Sequence, residues 1–272
     1  MPRSITLLLI LAWASGASAG SPSSESWRQT DAFKLLPAAD RCVAAANFVR
    51  GEQSLDVTLE SHPAAIDYDM RVLAAGDLKG RPWLQGRYAL GSATLDKDWV
   101  VVKSSRRAGM LVYEMEITRP ALNLASSEPI LSIQAEISPG ELSLTGLSDA
   151  LVQLDSCSAD LLSRWGYPKE SQSGVASFAR PKKAMSKYAS PNDYPNSALS
   201  TGVEGDAHAL VDVDVEGRAS NCRIIRSSGN RAIDTATCTI VTKRARYEPA
   251  RNAKGEAVTS PYYLVFRWAI AK

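Results

Sequence analysis

The stretch Ala207-His-Ala-Leu-Val-Asp-Val-Asp-Val215 decides how the C-terminal third of the chain folds, because its apolar residues fall on every second position. Ala207, Ala209, Val211, Val213 and Val215 share one face of an extended chain, while His208, Leu210, Asp212 and Asp214 share the other. Glu216-Gly217 supplies a turn. Ser220 to Ser227 then repeats the alternation, with Cys222 and Ile224 on one face and Arg223 and Ile225 on the opposite one, so the two runs form an antiparallel hairpin. Ser227-Ser228-Gly229-Asn230 breaks the second strand, and Asn230 is a suitable cap for a helix in which Ile233, Ala236, Ile240, Val241 and Ala245 recur at helical spacing. Asp234 suits the first turns of that helix, and Lys243, Arg244 and Arg246 suit its C-terminal end. Pro249 stops the element, Gly255 turns the chain, and Pro261 to Ile270 reads as a last strand. The order is strand, strand, helix, strand.

Working outward, residues 168–192 lose all apolar periodicity and fill with Ser, Lys, Pro, Gly and Gln, so they read as a linker. Arg180, Lys182, Lys183 and Lys187 lie within it and read as a solvated run. Residues 26–167 alternate instead. Leu55, Val57 and Leu59; Ile66, Tyr68, Met70 and Val72; Leu111, Tyr113, Met115 and Ile117; and Leu131, Ile133, Ala135 and Ile137 each occupy every second position. Such strands, punctuated by glycines, predict an antiparallel sandwich or partly closed barrel. A helix capped by Ser148 follows, with Leu151, Leu154, Leu161, Leu162 and Trp165 on its apolar face. The fold class is α+β: a β-rich N-terminal domain over 26–167 ending in a helix, a linker over 168–192, and a small domain over 193–272.

Residues 1–19 have a basic head at Arg3, an apolar run from Ile5 to Ala14, and Ala17-Ser18-Ala19 ahead of Gly20, the pattern of a cleaved secretory signal peptide. The run falls short of the ~20 residues that span a bilayer, although an uncleaved inner-membrane anchor is the alternative. Without Arg3 the mature chain is nearly neutral, starting from a formal net charge of +2 for the whole sequence. That balance gives no footprint for nucleic acid. Cys42, Cys157, Cys222 and Cys238 are an even number of cysteines in a chain bound for an oxidising compartment. Of the three pairings, Cys42 with Cys157 and Cys222 with Cys238 are favoured, because each then lies within one proposed domain. No C-x-x-C spacing occurs and the only histidines are His62 and His208, so no metal or cofactor is expected. Asp67 with Asp69 and Glu114 with Glu116 could each supply an acid and a base, but alternation along a solvated strand face already explains them. Trp83, Tyr88 and Trp99 read as packing rather than as a groove.

The C-terminal order, together with Tyr194-Pro195, Gly202-Val-Glu-Gly205, the Ala209–Val215 run with Glu216-Gly217, Ser227-Ser228-Gly229, Ile233-Asp234 and Arg244-Ala-Arg-Tyr247-Glu-Pro249, resembles the C-terminal domain of the TonB family. The N-terminal domain resembles no family in this way. The resemblance implies recognition and not catalysis: a periplasmic protein that pairs a sheet edge with an extended segment of an outer-membrane receptor, in support of transport. The edge would be the last strand, with Tyr262, Tyr263, Val265, Phe266 and Trp268 as partner-binding residues. Two departures from the family matter. The hydrophobic run at the N-terminus is short, and a globular domain stands where a long Pro-rich spacer would be. The competing expectation is therefore a soluble periplasmic binding or envelope-assembly module that transduces no energy. Its partner would be a different periplasmic protein. Strand exchange could make a homodimer, which the sequence does not require.

Overall fold

The computed structural model describes residues 26–270 apart from 37, 65–66, 94–97, 106, 126 and 128; the expected signal peptide lies outside the described residues. Alternation drives the N-terminal half into strands β1 (Arg28–Gln29), β2 (Lys34–Leu36), β3 (Cys42–Arg50), β4 (Gln53–Ser61), β5 (Asp67–Ala75), β6 (Trp83–Leu90), β7 (Trp99–Ser104) and β8 (Met110–Thr118). Helix α1 (Arg119–Ala125), β9 (Ile130–Gln134), β10 (Glu141–Ser143) and helix α2 (Leu147–Arg164) complete it. The strands form one antiparallel sheet in the order β1-β3-β4-β5-β8-β7-β6-β9-β10, with β2 also on β3. Leu55, Val57 and Leu59 of β4 face Met70, Val72 and Ala74 of β5 inside, and Leu111, Tyr113, Met115 and Ile117 of β8 continue the layer.

The sheet curls until its two ends nearly meet. The Gln29 side-chain amide donates to the Thr145 carbonyl at 3.0 Å and accepts from the Thr145 N–H at 2.8 Å, and the Trp27 indole N–H donates to the Pro139 carbonyl at 2.7 Å. These bonds tie the β1 end to the β10 end and leave a barrel-like sheet with little free edge. Helix α2 buries Leu147, Ala150, Leu151, Leu154 and Leu161 in the core. It starts two residues earlier than a Ser148 cap implies: Gly146, in the left-handed region at φ +78°, precedes its first residue.

The remaining chain runs through α3 (Lys169–Gln172), β11 (Arg180–Pro181), α4 (Asn196–Leu199), β12 (Gly205–Val213), β13 (Ala219–Arg226) and α5 (Arg231–Thr239). It ends with β14 (Tyr247–Glu248), β15 (Ala250–Arg251), β16 (Ala257–Val258) and β17 (Ser260–Trp268). Its main sheet is antiparallel in the order β13-β12-β17. The Asn230 side chain accepts from the Ala232 and Ile233 N–H groups, as its cap role requires. A second core of Ala209, Val211, Val213, Ile233, Val241, Leu264, Phe266 and Trp268 lies between this sheet and α5. The stretch read as a linker is bonded into this unit. β11 pairs with β14, Ser177 bridges to Arg251, and the Lys182 N–H donates to the Arg246 carbonyl at 2.8 Å.

Both disulfides join the favoured partners. Cys42–Cys157 pins α2 to β3, and Cys222–Cys238 pins β13 to α5. A third, smaller cluster joins the two units: Leu210 and Tyr263 pack on Ala64 and Leu162, with Trp165, Tyr167, Phe178 and Ile225 around them. The C-terminal sheet therefore has α5 on one face and the N-terminal unit on the other.

Candidate functional site

All nine residues of β17 pair with β12, from Gly205 opposite Trp268 to Val213 opposite Ser260. No described strand pairs with the other side of β17, so alternate residues along its nine present unpaired main-chain donors and acceptors. A groove of about 450 Å³ runs beside its C-terminal half, between Val265–Ala269 and a wall of Met185, Ala189, Pro191 and Tyr194.

The side chains of β17 have separate duties. Trp268, 5% exposed, donates its indole N–H to Thr237 Oγ1 at 2.9 Å and meets Tyr194 edge to face at 5.3 Å. Phe266 packs on Trp268, and Tyr262 meets Tyr247 edge to face. Tyr263 points the other way, into the junction, and is 4% exposed. Of the five expected contact residues only Val265 is exposed, at 39%; the others are core or partly buried. What β17 offers a partner is thus mainly backbone, with Val265 and the exposed Arg267, whose guanidinium is held by Asp206 at 3.1 Å. Alternation tells which residues share a face but not that a second unit covers that face, which is why Tyr263 reads as accessible in the sequence.

The motif residues form the frame behind this edge. Tyr194 donates its hydroxyl hydrogen to the Val203 carbonyl at 2.7 Å, and Pro195 precedes α4. Asp234 accepts from Ser227 Oγ at 2.6 Å and from the Ser228 N–H and Oγ at 2.9 and 2.8 Å, which locks the loop around Gly229 onto α5. Burial opposes ionisation of Asp234, but these bonds outweigh it and hold its carboxyl below the usual range. A Cβ on Gly217 would lie 2.0 Å from the Tyr247 carbonyl oxygen, and one on Gly205 2.5 Å from the Ser228 oxygen. Gly217 is also in the left-handed region, at φ +76°. Tyr247 is buried, donates its N–H to the Gly217 carbonyl and its hydroxyl hydrogen to the Val241 carbonyl, and leads into Pro249.

Behind the edge, the junction holds both histidines of the chain. His62 stacks on Tyr263 at 5.8 Å, and Trp165 stacks on it at 5.6 Å. His208 Nδ1 meets the Tyr263 hydroxyl at 2.5 Å and its Nε2 meets Arg226 Nη2, while Arg226 also pairs with Asp40 at 2.9 Å. A guanidinium only donates, so Nε2 accepts and the proton of the neutral ring is assigned to Nδ1. Burial, and then the Arg226 charge, push His208 down to about 4. Burial also opposes charge on His62, but the hydrogen bond and charge of Asp69 win and raise it. The tyrosine that α2 leads into adds a polar tie: Tyr167 donates to Asp212, and burial followed by that bond pushes its hydroxyl up to about 12.

One member of each acidic pair of the N-terminal strands, Asp69 and Glu114, is engaged in an ion pair. Arg71 bridges Glu60 at 2.8 Å and Asp69 at 3.2 Å, and Lys103 reaches Glu114 at 2.6 Å. Nothing is described of the Asp67 side chain, and Glu116 is exposed. Among the described residues no group of three or more His, Cys, Asp or Glu is placed to hold a metal ion. No described helix is long and apolar enough to cross a membrane.

A three-stranded antiparallel sheet backed by one helix, stapled to it by a disulfide and open along its last strand, defines the C-terminal unit as a small α+β module with a free sheet edge. Residues 190–270 match the family described as Gram-negative bacterial TonB protein C-terminal, so this part of the chain is similar to that domain. Two curated relatives, each called Protein TonB, come from Xanthomonas campestris pv. campestris, strain B100 and one further strain. Each is 41% identical over 51 residues, which is 19% of this chain. The chain spans about a quarter of the length of these relatives, 23%.

Proposed function

We propose that this protein works in the bacterial envelope as a periplasmic TonB-family protein, accepting an extended segment of an outer-membrane receptor along β17 in support of transport. The observation that carries the reading is the unpaired nine-residue edge of β17 in a unit that matches the TonB C-terminal family. Strand addition draws affinity from main-chain hydrogen bonds, which suits an edge whose aromatic side chains are turned into the cores on either side. Val265 and Arg267 then supply the selectivity, and the groove walled by Met185 and Tyr194 takes alternate side chains of the incoming strand.

The test is a calorimetric titration of the chain with receptor-derived extended peptides, each compared with a copy N-methylated at alternate amides. Binding that the methylation weakens by roughly ten-fold or more is expected, since several main-chain bonds are lost together. Equal affinity for both copies, or no binding to any receptor peptide, overturns the proposal.

A second reading has an observation of its own. The N-terminal unit sits directly on the C-terminal sheet through Leu210 and Tyr263, where an energy transducer would carry an extended spacer. This arrangement favours a module that binds an envelope partner without pulling on it. Unimpaired receptor-dependent uptake in a deletion strain that shows an envelope defect would select this reading over the first.

A further inference from the structure

The pairing of β11 with β14 brings together two basic segments that lie some sixty residues apart in the chain. Arg180 stands opposite Glu248 and Pro181 opposite Tyr247; one step further, the Lys182 N–H bonds to the Arg246 carbonyl. Tyr247 is buried, so alternation turns Arg180, Lys182 and Arg246 to the outside. Lys183, Lys187 and Lys243 flank them, and all six are exposed. The fold holds this cluster together: the Tyr188 hydroxyl donates to the Arg246 carbonyl, and Arg246 Nη1 donates to the Lys243 and Ala245 carbonyls.

Neutralisation within the cluster is slight. Arg180 pairs with Glu248 at 2.6 Å, and the neighbouring Arg244 is taken by Asp193 at 2.6 Å. The four lysines and Arg246 have no carboxylate within ion-pair distance among the described residues. In a chain whose whole formal charge is +2, five uncompensated cations on one side form a directed field rather than a share of a uniform surface.

We infer that this patch docks the protein on an anionic phospholipid surface. Four of its cations are lysines, point charges on flexible stems, and this suits a diffuse layer of phosphates better than the planar pairing that singles out one carboxylate. The segment that carries Lys182, Lys183 and Lys187 continues into the Met185–Pro191 wall of the groove beside β17. Docking therefore holds the open edge close to the membrane. This inference does not depend on strand addition.

The test is sedimentation of residues 20–272 with phosphatidylcholine vesicles, with and without phosphatidylglycerol. Binding is expected only to the anionic vesicles, released by high salt and indifferent to millimolar inorganic phosphate. Each of Lys182→Gln, Lys183→Gln, Lys187→Gln and Lys243→Gln should lower partitioning by roughly five-fold, the factor for one cation near a charged leaflet. Lys34→Gln and Lys79→Gln should leave it unchanged, and circular dichroism should report the same fold throughout. The inference is overturned by equal binding to neutral vesicles, by no binding to anionic ones at low salt, or by patch variants that partition like the parent chain. Displacement by inorganic phosphate would assign the patch to free phosphate. Binding to poly-glutamate without vesicle binding would assign it to an acidic protein. Either result sinks the membrane reading.

Discussion

The two sheets of this molecule treat their edges in opposite ways. The N-terminal sheet curls until β1 and β10 are tied by Gln29 and Thr145, and so uses up most of its free main-chain groups. The C-terminal sheet leaves the outer side of β17 without a strand partner along its full length. A long open edge is a hazard for aggregation unless it has a use, so under the proposed function the smaller sheet is the recognition element and the larger one its support. The frame of the smaller sheet must then be rigid, because a strand can add only to an edge that holds its twist and register.

The largest expected effects test how each unit is stapled. The Cys42–Cys157 bridge closes a span of 115 residues and Cys222–Cys238 one of 16. In the chain-entropy model these are worth about 5 and about 3 kcal/mol. Replacing each pair by serines should lower urea stability in that order, with the first loss read in the N-terminal transition and the second in the C-terminal one. Equal losses, or a reversed order, would break the division into a heavily stapled support and a lightly stapled recognition unit.

Next in size is Gly217→Ala. The new Cβ would meet the Tyr247 carbonyl oxygen at 2.0 Å in a left-handed backbone, so left-handed strain and overpacking add to roughly 2–5 kcal/mol. Gly229 is the control: it is also left-handed, at φ +87°, but nothing lies within 4 Å of its added Cβ. Gly229→Ala should cost only about 1–2 kcal/mol. Thermal melts of the two variants give the comparison, and a Gly217→Ala as mild as Gly229→Ala would remove the close approach from the account.

Much of this contrast is legible in the sequence. The first and last strands of the C-terminal sheet in chain order and the Asn230 cap read directly, because each rests on local alternation or capping, although β12 ends at Val213, Val215 lies exposed in the turn, and β17 ends at Trp268. Strand β3 is harder to see: its inward positions begin Cys42, Ala44 and Ala46, residues too small to mark a strand face, and only Phe48 is bulky. Residues 168–192 have the composition of a free linker, yet chain from far along the sequence supplies their partners at Arg246–Arg251, and no local pattern encodes that. The junction is hidden for the same reason. Leu210 and Tyr263 read as ordinary strand residues, and only the packed structure shows both of them against Ala64 and Leu162.

The last expected effect concerns pH and sharpens the comparison at the point where the two units touch. His208 is held neutral between Tyr263 and Arg226, with its pKa pushed down to about 4, while the unfolded chain titrates near 6.5. Between those values the unfolded state binds the proton better, so the stability contributed by neutral His208 is complete above pH 6.5 and is lost as the pH falls toward 4. His62 has the opposite sign: its pKa is raised, so the stability it gains from Asp69 is complete below pH 6.5 and fades as the pH rises through its folded value. The two slopes meet near pH 6.5, where the junction should be firmest. Urea midpoints across pH should therefore fall on both sides, with His208→Gln flattening the acid limb and His62→Gln the alkaline one. If each variant merely shifted the whole curve, the histidines would be packing the junction without titrating in it. The N-terminal unit would then rest on the recognition sheet through its apolar contacts at Ala64, Leu162, Leu210 and Tyr263 alone.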